Sequence, residues 1–134
     1  MADTFKLKIY TPEREFYNGE VTMVELRTSE GEIGVYKGHI PLTAVIAPGM
    51  LRIHEASGDV KVAACHAGFL EILPEEITVL AEIIEWPDEI DENRAEEARI
   101  RAERRISEKD SAVNMARAEL ALKRAMARIE TKNY

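Results

Sequence analysis

Glycine and proline are confined to the first two thirds of the chain. All seven glycines and all five prolines lie at or before Pro87, so residues 88–134 contain no residue that breaks a helix. The charge balance changes at the same place, because residues 1–87 carry 14 acidic and 7 basic side chains whereas residues 88–134 carry 11 of each. The 134 residues are therefore predicted to form two modules of different kinds, 1–86 and 87–134.

The first module has the pattern of a small all-β domain. Phe5–Tyr10 alternates apolar and basic side chains with the period of a half-buried strand. Turn residues such as Ser57-Gly58-Asp59 separate the strand-like runs. The further runs are 21–27, 42–47, 51–54, 60–66, 69–73 and 77–84. This spacing predicts a β-sandwich or barrel, so the whole chain is expected to be an α+β protein.

The second module is predicted to be an antiparallel two-helix hairpin. Asp91 is expected to cap a helix over 92–106, and Asp110 or Ser111 to start a second helix that ends near Thr131, with 107–110 as the turn. Each helix carries an apolar stripe at helical spacing. The stripes are Ala95, Ala98, Ala102 and Ile106, and then Met115, Ala118, Leu122, Met126 and Ile129. Because alanine buries little area, the hairpin should be only marginally held closed.

A weak repeat places arginines on both helices. The pattern R-A-E-x-A-x-x-R-A-x-x-R starts at residues 94 and 117, and its offsets of 7 and 4 put the arginines along one helical face. They are Arg94, Arg101, Arg105, Arg117, Arg124 and Arg128. Two interpretations stay open. The arginines pair with nearby glutamates on the surface, or they bind a polyanion, since guanidinium groups match phosphate oxygens.

Other chemistries find little support in the sequence. One cysteine and three scattered histidines give no metal-site spacing, and no phosphate-binding loop, dinucleotide fingerprint or nucleophile elbow is present. Cys65 and His66 should point to opposite faces of a strand, with Cys65 in the core. The acidic first module disfavours nucleic acid, and no apolar run is long enough to cross a membrane. The N-terminus has no secretory signal, which favours a reducing, cytoplasm-like compartment.

Several segments resemble one known family. Ser29–Leu42 is similar to the hallmark segment of the ATP synthase epsilon subunit, part of the F1 central stalk, and 48–51, 68–72 and 117–126 follow the same family in order. The resemblance implies a β-sandwich of about ten strands that contacts the gamma subunit and the c-ring of Fo. It further implies a non-catalytic subunit that couples rotation, lies peripherally on the cytoplasmic face of the bacterial cell membrane, and does not insert into it. Glu30 and Glu32 would face the c-ring and His39 the gamma subunit, although His39 is equally interpreted as a structural, hydrogen-bonded histidine.

A second motif bears on regulation. Residues 90–95 match the [IL]-D-x-x-R-A motif of epsilon subunits that bind ATP in a folded hairpin. The resemblance implies ATP as a regulatory ligand, with or without Mg²⁺, and no catalytic cofactor. The implied ATP-binding residues are Glu85, Ile90, Asp91, Arg94, Ala95, Arg101, Arg124 and Arg128. Loss of ATP would let the helices extend toward the alpha and beta subunits and inhibit ATP hydrolysis.

Three alternatives stay open beside this hypothesis. The chain could keep the motif but bind ATP too weakly to matter. It could be a free-standing ATP sensor that does not co-purify with a gamma subunit. It could also be a small enzyme whose site has no recognised nucleophile and base.

Overall fold

The computed structural model describes residues 3–108 and 111–134. Seven strands are followed by a short 3₁₀ turn, Pro87–Glu89, and by two helices. The strands are β1 (Phe5–Tyr10), β2 (Glu15–Thr28), β3 (Gly31–Val35), β4 (Leu42–Ile46), β5 (Gly49–Glu55), β6 (Val60–Ile72) and β7 (Glu76–Glu85). The helices are α1 (Glu92–Glu108) and α2 (Ala112–Lys132). None of the helices in the described part of the chain is long and apolar enough to cross a membrane.

The strands form a closed sandwich because β2 and β6 each belong to both layers. The first half of β2 pairs with β1, and its second half pairs with β5 and β3. The first half of β6 pairs with β5, and its second half pairs with β7 and β4. A parallel pairing of β1 with β7 completes the ring. The predicted β-sandwich is confirmed, with seven strands in the described residues rather than about ten.

Two predicted strands are in fact one. The runs 60–66 and 69–73 join in the 13-residue β6, whose register against β7 shifts between Cys65 and Gly68. Gly68 has a φ of +144°, and a Cβ there would lie 2.0 Å from the backbone oxygen of Leu80. A bulge with a glycine bends a strand without ending it, which lets β6 pass from one layer to the other.

The core lies between the two layers and follows the period of the strands. On β1, Leu7 and Ile9 are fully buried, whereas Lys6 and Lys8, which alternate with them, are half-buried. The same alternation buries Leu51 and Ile53 on β5. Cys65 lies in this core, as predicted.

The helical hairpin is present, with small changes at its turn. Helix α1 continues through Ser107 and Glu108, which were predicted to lie in the turn, while Lys109 and Asp110 are outside the described residues. Ser111 is the N-cap of α2, and its side chain accepts a hydrogen bond from the backbone N–H of Asn114 at 3.2 Å.

Helix α2 is covered on two sides. It packs along α1 and also contacts β5 and β6 of the sandwich. Small side chains dominate the buried positions of both helices, which are Ala95, Ala102, Ala118, Ala125, Ala127 and Thr131. Of these, Ala95, Ala102 and Ala118 belong to the predicted stripes. Met126 was predicted to lie in the stripe but is 39% exposed, and the buried Ala125 takes its place.

Candidate functional site

A cavity of about 470 Å³ lies where the sandwich, the 3₁₀ turn and the two helices meet. We call it the junction groove. Its volume falls within the roughly 300–1,000 Å³ that is usual for small-molecule sites. The lining residues are Glu85, Glu89, Ile90, Asp91, Arg94, Ala95, Glu97, Ala98, Arg101 and Arg128. The groove thus draws its side chains from the end of β7, the 3₁₀ turn, the first turns of α1 and the last turns of α2.

The structure brings seven of the eight residues implied by the resemblance to this groove. Arg124 is the exception. It lies on α2 one turn before Arg128, is half-buried, and its Nε has no hydrogen-bond partner in the part of the chain that the structure describes. Sequence reasoning missed Glu89, Glu97 and Ala98. The last two were within reach of a spacing argument, since they lie three and four residues after Arg94 on α1.

Glu85 fastens α2 to the sandwich. Its Oε1 accepts hydrogen bonds from Nε2 of His66 at 2.9 Å and from Nε of Arg128 at 2.8 Å. Burial by itself raises the pKa of Glu85, but the hydrogen bonds from His66 and Arg128 outweigh it and hold that pKa below its ordinary value. His66 is 1% exposed and was not predicted to have this contact, because nothing local in the sequence links residues 66, 85 and 128.

Glu89 is held on the other side of the groove. Nη2 of Arg14, in the turn between β1 and β2, lies 2.8 Å from both carboxylate oxygens, and the backbone N–H of Trp86 donates to Oε1 at 2.9 Å. The hydrogen bond from Arg14 is the main cause of a lowered pKa at Glu89. Trp86 itself stacks on Phe16, with ring centroids 4.1 Å apart.

Asp91 begins α1. Its Oδ1 accepts a hydrogen bond from the backbone N–H of Arg94 at 3.2 Å, which satisfies a free donor of the first helical turn. Three of the four carboxylates that line the groove are therefore already engaged: Glu85 and Glu89 by side-chain cations and Asp91 by the backbone of α1.

The arginines of the groove are less engaged than its carboxylates. Within the described residues, the guanidinium groups of Arg94 and Arg101 form no hydrogen bond or ion pair, and Arg128 uses only its Nε, on Glu85. Surface pairing of the kind first considered does occur on α1, where Arg99 bonds both Glu96 and Glu103. Arg99 does not line the groove. The pattern leaves cationic groups on the groove side of α1 available to an anion.

The groove has no ready-made metal site. No group of three or more histidine, cysteine, aspartate or glutamate side chains is placed to hold a metal ion among the described residues.

Arg105 and Arg117 lie apart from the junction groove. They line a second cavity of about 380 Å³ near the turn of the hairpin, together with Glu108 and Asn114. The six repeat arginines therefore do not share one groove: three line the junction groove, two line this second cavity and Arg124 lines neither.

The residues assigned to the rotor interface lie at opposite ends of β3. Glu30 and Glu32 are exposed where β2 turns into β3, and Glu32 lies 4.0 Å from Arg27. His39 lies in the turn after β3, and its Nδ1 donates to the backbone oxygen of Ile40 at 3.0 Å. The hallmark segment contains a five-residue strand between two turns.

An apolar strip crosses the outer face of the sandwich. Val45, Phe69 and Leu80 are directly opposite one another on β4, β6 and β7, and all three are more than half exposed. Tyr10 continues the row on β1. Contiguous exposed apolar surfaces are a common feature of protein interaction sites. The strip could have been predicted from adjacent apolar residues, which put apolar side chains on both faces of a strand. These pairs are Val45-Ile46, Phe69-Leu70 and Val79-Leu80.

Taken together, the sandwich with its apolar strip and the hairpin with its arginine-lined groove define a small protein built around binding surfaces. Comparison with known proteins gives the family. Residues 4–87 match the family model "ATP synthase, Delta/Epsilon chain, beta-sandwich domain", and residues 88–133 match "ATP synthase, Delta/Epsilon chain, long alpha-helix domain". The chain therefore belongs to the family of ATP synthase epsilon subunits, components of the F1 central stalk.

Individual relatives agree with the family models. The ATP synthase epsilon chain of Clostridium novyi (strain NT) is 44% identical over 130 residues, covering 97% of this chain and 98% of its own. That of Clostridium kluyveri (strain NBRC 12016) is 46% identical over 129 residues, covering 96% and 97%. Among solved structures, a chain of the Euglena gracilis mitochondrial ATP synthase, OSCP/F1/c-ring in rotational state 1, superposes with a TM-score of 0.84. At 22% identity, covering 98% of this chain and 82% of that one, it supports the fold alone.

Proposed function

We propose that this chain couples rotation between the c-ring and the catalytic head of the ATP synthase, and that ATP in the junction groove controls a regulatory switch. With ATP bound, the hairpin stays folded on the sandwich. Without ATP, α1 and α2 separate and extend toward the alpha and beta subunits, where they inhibit ATP hydrolysis. The chain would act as a non-catalytic, peripheral subunit on the cytoplasmic face of the bacterial membrane.

The main support for the proposed switch is the set of residues that line the groove. Arg94, Arg101 and Arg128 come from two different helices and line one cavity. Their charges repel one another, so a polyphosphate that lies among them favours the arrangement in which the helices are close. Ile90 and Ala95, which are buried beside them, offer the apolar contact that a base requires.

The hairpin is weakly enough held for a ligand to control it. Its buried positions are mostly alanines, which contribute little apolar area, and its attachment to the sandwich includes Arg128 on Glu85 and Lys132 on the backbone oxygen of Pro87 at 3.0 Å. A ligand that binds only the folded hairpin stabilises it by about 2.7 kcal/mol at 100 times its Kd. That amount is comparable with two or three such polar contacts.

We also assign partner-binding surfaces on the sandwich. The apolar strip suits a hydrophobic contact with the gamma subunit, and His39 lies at the end of β3 away from Glu30 and Glu32. Exposed carboxylates at the β2–β3 turn suit the polar loops of a c-ring. Replacing Glu32 and His39 together should weaken the coupling of ATP hydrolysis to proton pumping in reconstituted vesicles while the isolated chain stays folded, and unchanged pumping would exclude both residues from the interface.

Calorimetric titration of the full chain with ATP tests the switch. The wild-type chain should bind ATP, and the double substitution Asp91→Ala/Arg94→Ala should abolish binding because it removes a free guanidinium group and the cap that positions it. Arg99→Ala is the matched control. It removes an arginine from the same helix but outside the groove, so affinity should be kept. Unchanged affinity in the double variant would refute the assignment of the site.

A further inference from the structure

We propose that Arg14 is a positioning residue for the junction groove, which it serves by holding the carboxylate of Glu89 away from the phosphates of a bound nucleotide. Arg14 lies in the turn between β1 and β2 and does not line the groove itself. The inference rests on the proposed function and adds to it a residue that neither the ATP motif nor the arginine repeat contains.

The geometry fixes Glu89 on the sandwich side. Arg14 bonds both of its oxygens at 2.8 Å, and the Trp86 backbone bonds one of them at 2.9 Å. The Arg14 guanidinium lies 5.0 Å from the ring centroid of Phe16, which stacks on Trp86. Two residues of the β1–β2 region and two of the linker thus form one cluster, the Arg14 clamp, defined by Arg14, Phe16, Trp86 and Glu89. The clamp holds the 3₁₀ turn to the sandwich independently of the helices.

The charges of the groove explain why such a clamp is needed. Four carboxylates and three guanidinium groups line the groove, so its formal charge is −1. The three guanidinium groups therefore do not fully offset the four carboxylates, and a cation from outside the groove reduces the repulsion that a polyphosphate meets there. Arg14 is that cation, and it pairs with Glu89, one of the two carboxylates of the lining that neither a groove arginine nor the backbone of α1 engages. Glu97, on the second turn of α1, is the remaining carboxylate.

Protonation offers no alternative way to neutralise Glu89. The hydrogen bond from Arg14 lowers the pKa of Glu89, so the carboxylate stays ionised at neutral pH. Without Arg14 the side chain would keep its negative charge, and only the hydrogen bond from the Trp86 backbone would still hold it away from the groove. Binding of ATP would then have to overcome that repulsion.

A purely structural role for the clamp makes a different prediction. If Arg14 and Glu89 served only to hold the linker, removing either partner would have the same effect on binding. Positioning requires different outcomes: loss of Arg14 weakens binding, loss of the Glu89 charge does not, and the second change rescues the first. The effect should also shrink in high salt, because salt screens repulsion between exposed charges.

The test is calorimetric titration of the full chain with ATP and, in parallel, with inorganic tripolyphosphate, at 50 and 500 mM NaCl. Arg14→Gln keeps an aliphatic stem over Phe16 and should weaken binding about three- to tenfold at low salt and less than about twofold at high salt. Arg14→Gln/Glu89→Gln should return to within about twofold of the wild type. Arg27→Gln is the control, since Arg27 is an equally exposed arginine, 48% against 46%, ion-paired elsewhere on the sandwich.

The outcomes separate this inference from the proposed function. Wild-type binding with no loss in Arg14→Gln would overturn the inference alone. So would a double variant that stays as weak as Arg14→Gln, which would make Arg14 structural. A wild-type chain that binds neither ATP nor tripolyphosphate would overturn the proposed function, and the inference with it.

Discussion

Removing the charge of Glu85 should release α2 from the sandwich while leaving the sandwich intact. Glu85→Gln keeps the shape of the side chain but changes both hydrogen bonds at Oε1, from His66 at 2.9 Å and from Arg128 at 2.8 Å. Hydrogen bonds to a charged group contribute about 1.5–3 kcal/mol and neutral ones about 0.5–1.5 kcal/mol, so the loss is about 1 kcal/mol for each bond. Only the bond from Arg128 joins α2 to the sandwich, because His66 and Glu85 both lie on strands. Glu85 and Arg128 are 24% and 29% exposed, and solvent screening reduces the loss for α2 to about 0.5–1 kcal/mol.

Native-state hydrogen exchange measures this loss directly. A change of about 0.5–1 kcal/mol corresponds to a factor of about 2 to 5 in an equilibrium, so amides of α2 should exchange faster by that factor in Glu85→Gln. Amides of β1 and β5 should be unchanged. Glu76→Gln is the matched control, because Glu76 pairs with Lys8 between two strands of the sandwich and not with a helix. Unchanged exchange in α2, or an equal acceleration in the sandwich strands, would refute the assignment of Glu85 as the residue that fastens the helix.

Three further predictions concern acid, the β6 bulge and the apolar strip. Glu85 and Glu89 have pKa values below the ordinary 4.5 in the folded chain. The stability that their ionised forms add is therefore complete above pH 4.5 and is lost as the pH falls through the lower folded-state pKa values. Hydrogen exchange of α2 amides, followed from pH 7 to 3, should accelerate only in that lower range. Gly68→Ala should cost at least about 3 kcal/mol in urea unfolding because its Cβ clashes with backbone, whereas Gly58→Ala, at a positive φ in open space, should cost about 1 kcal/mol; equal costs would contradict this. Phe69→Gln should change stability by less than about 0.5 kcal/mol yet weaken binding to purified gamma subunit by more than 1 kcal/mol (about fivefold or more), and unchanged affinity would remove the strip from that interface.

Local pattern was sufficient to predict the class of fold. The alternation in Phe5–Tyr10 gave a strand with the correct buried face, and the absence of glycine and proline after Pro87 gave the helices. The extent of β6 was not predictable in the same way. Gly68 resembles a break in a strand, and only its pairing with β7 makes it a bulge within one. Strand pairing is a tertiary property, so local periodicity could not reveal that β2 and β6 each serve two layers.

The groove was predictable only where its residues are close in sequence. The motif put Asp91 and Arg94 at the start of α1 and the repeat put Arg101 two turns further on, and the structure places all three in one cavity. The repeat could not tell which arginines of α2 reach that cavity, because α2 is covered on two sides and Arg124 is half-buried. Arg14 bonds a residue 75 positions away, and no local pattern contains such a contact.

The distance between the hairpin and the sandwich tests the central claim most directly. Spin labels at Ser57→Cys on the sandwich and Ser107→Cys on α1 give a suitable pair in the full chain. Cys65 needs no replacement, because burial raises the pKa of its thiol to about 12 and keeps it unreactive. We expect saturating ATP to give a single population with a short distance between the two labels. Removal of ATP, or the double substitution Asp91→Ala/Arg94→Ala, should add a second population with a longer distance. A distance distribution that saturating ATP leaves unchanged would contradict the account.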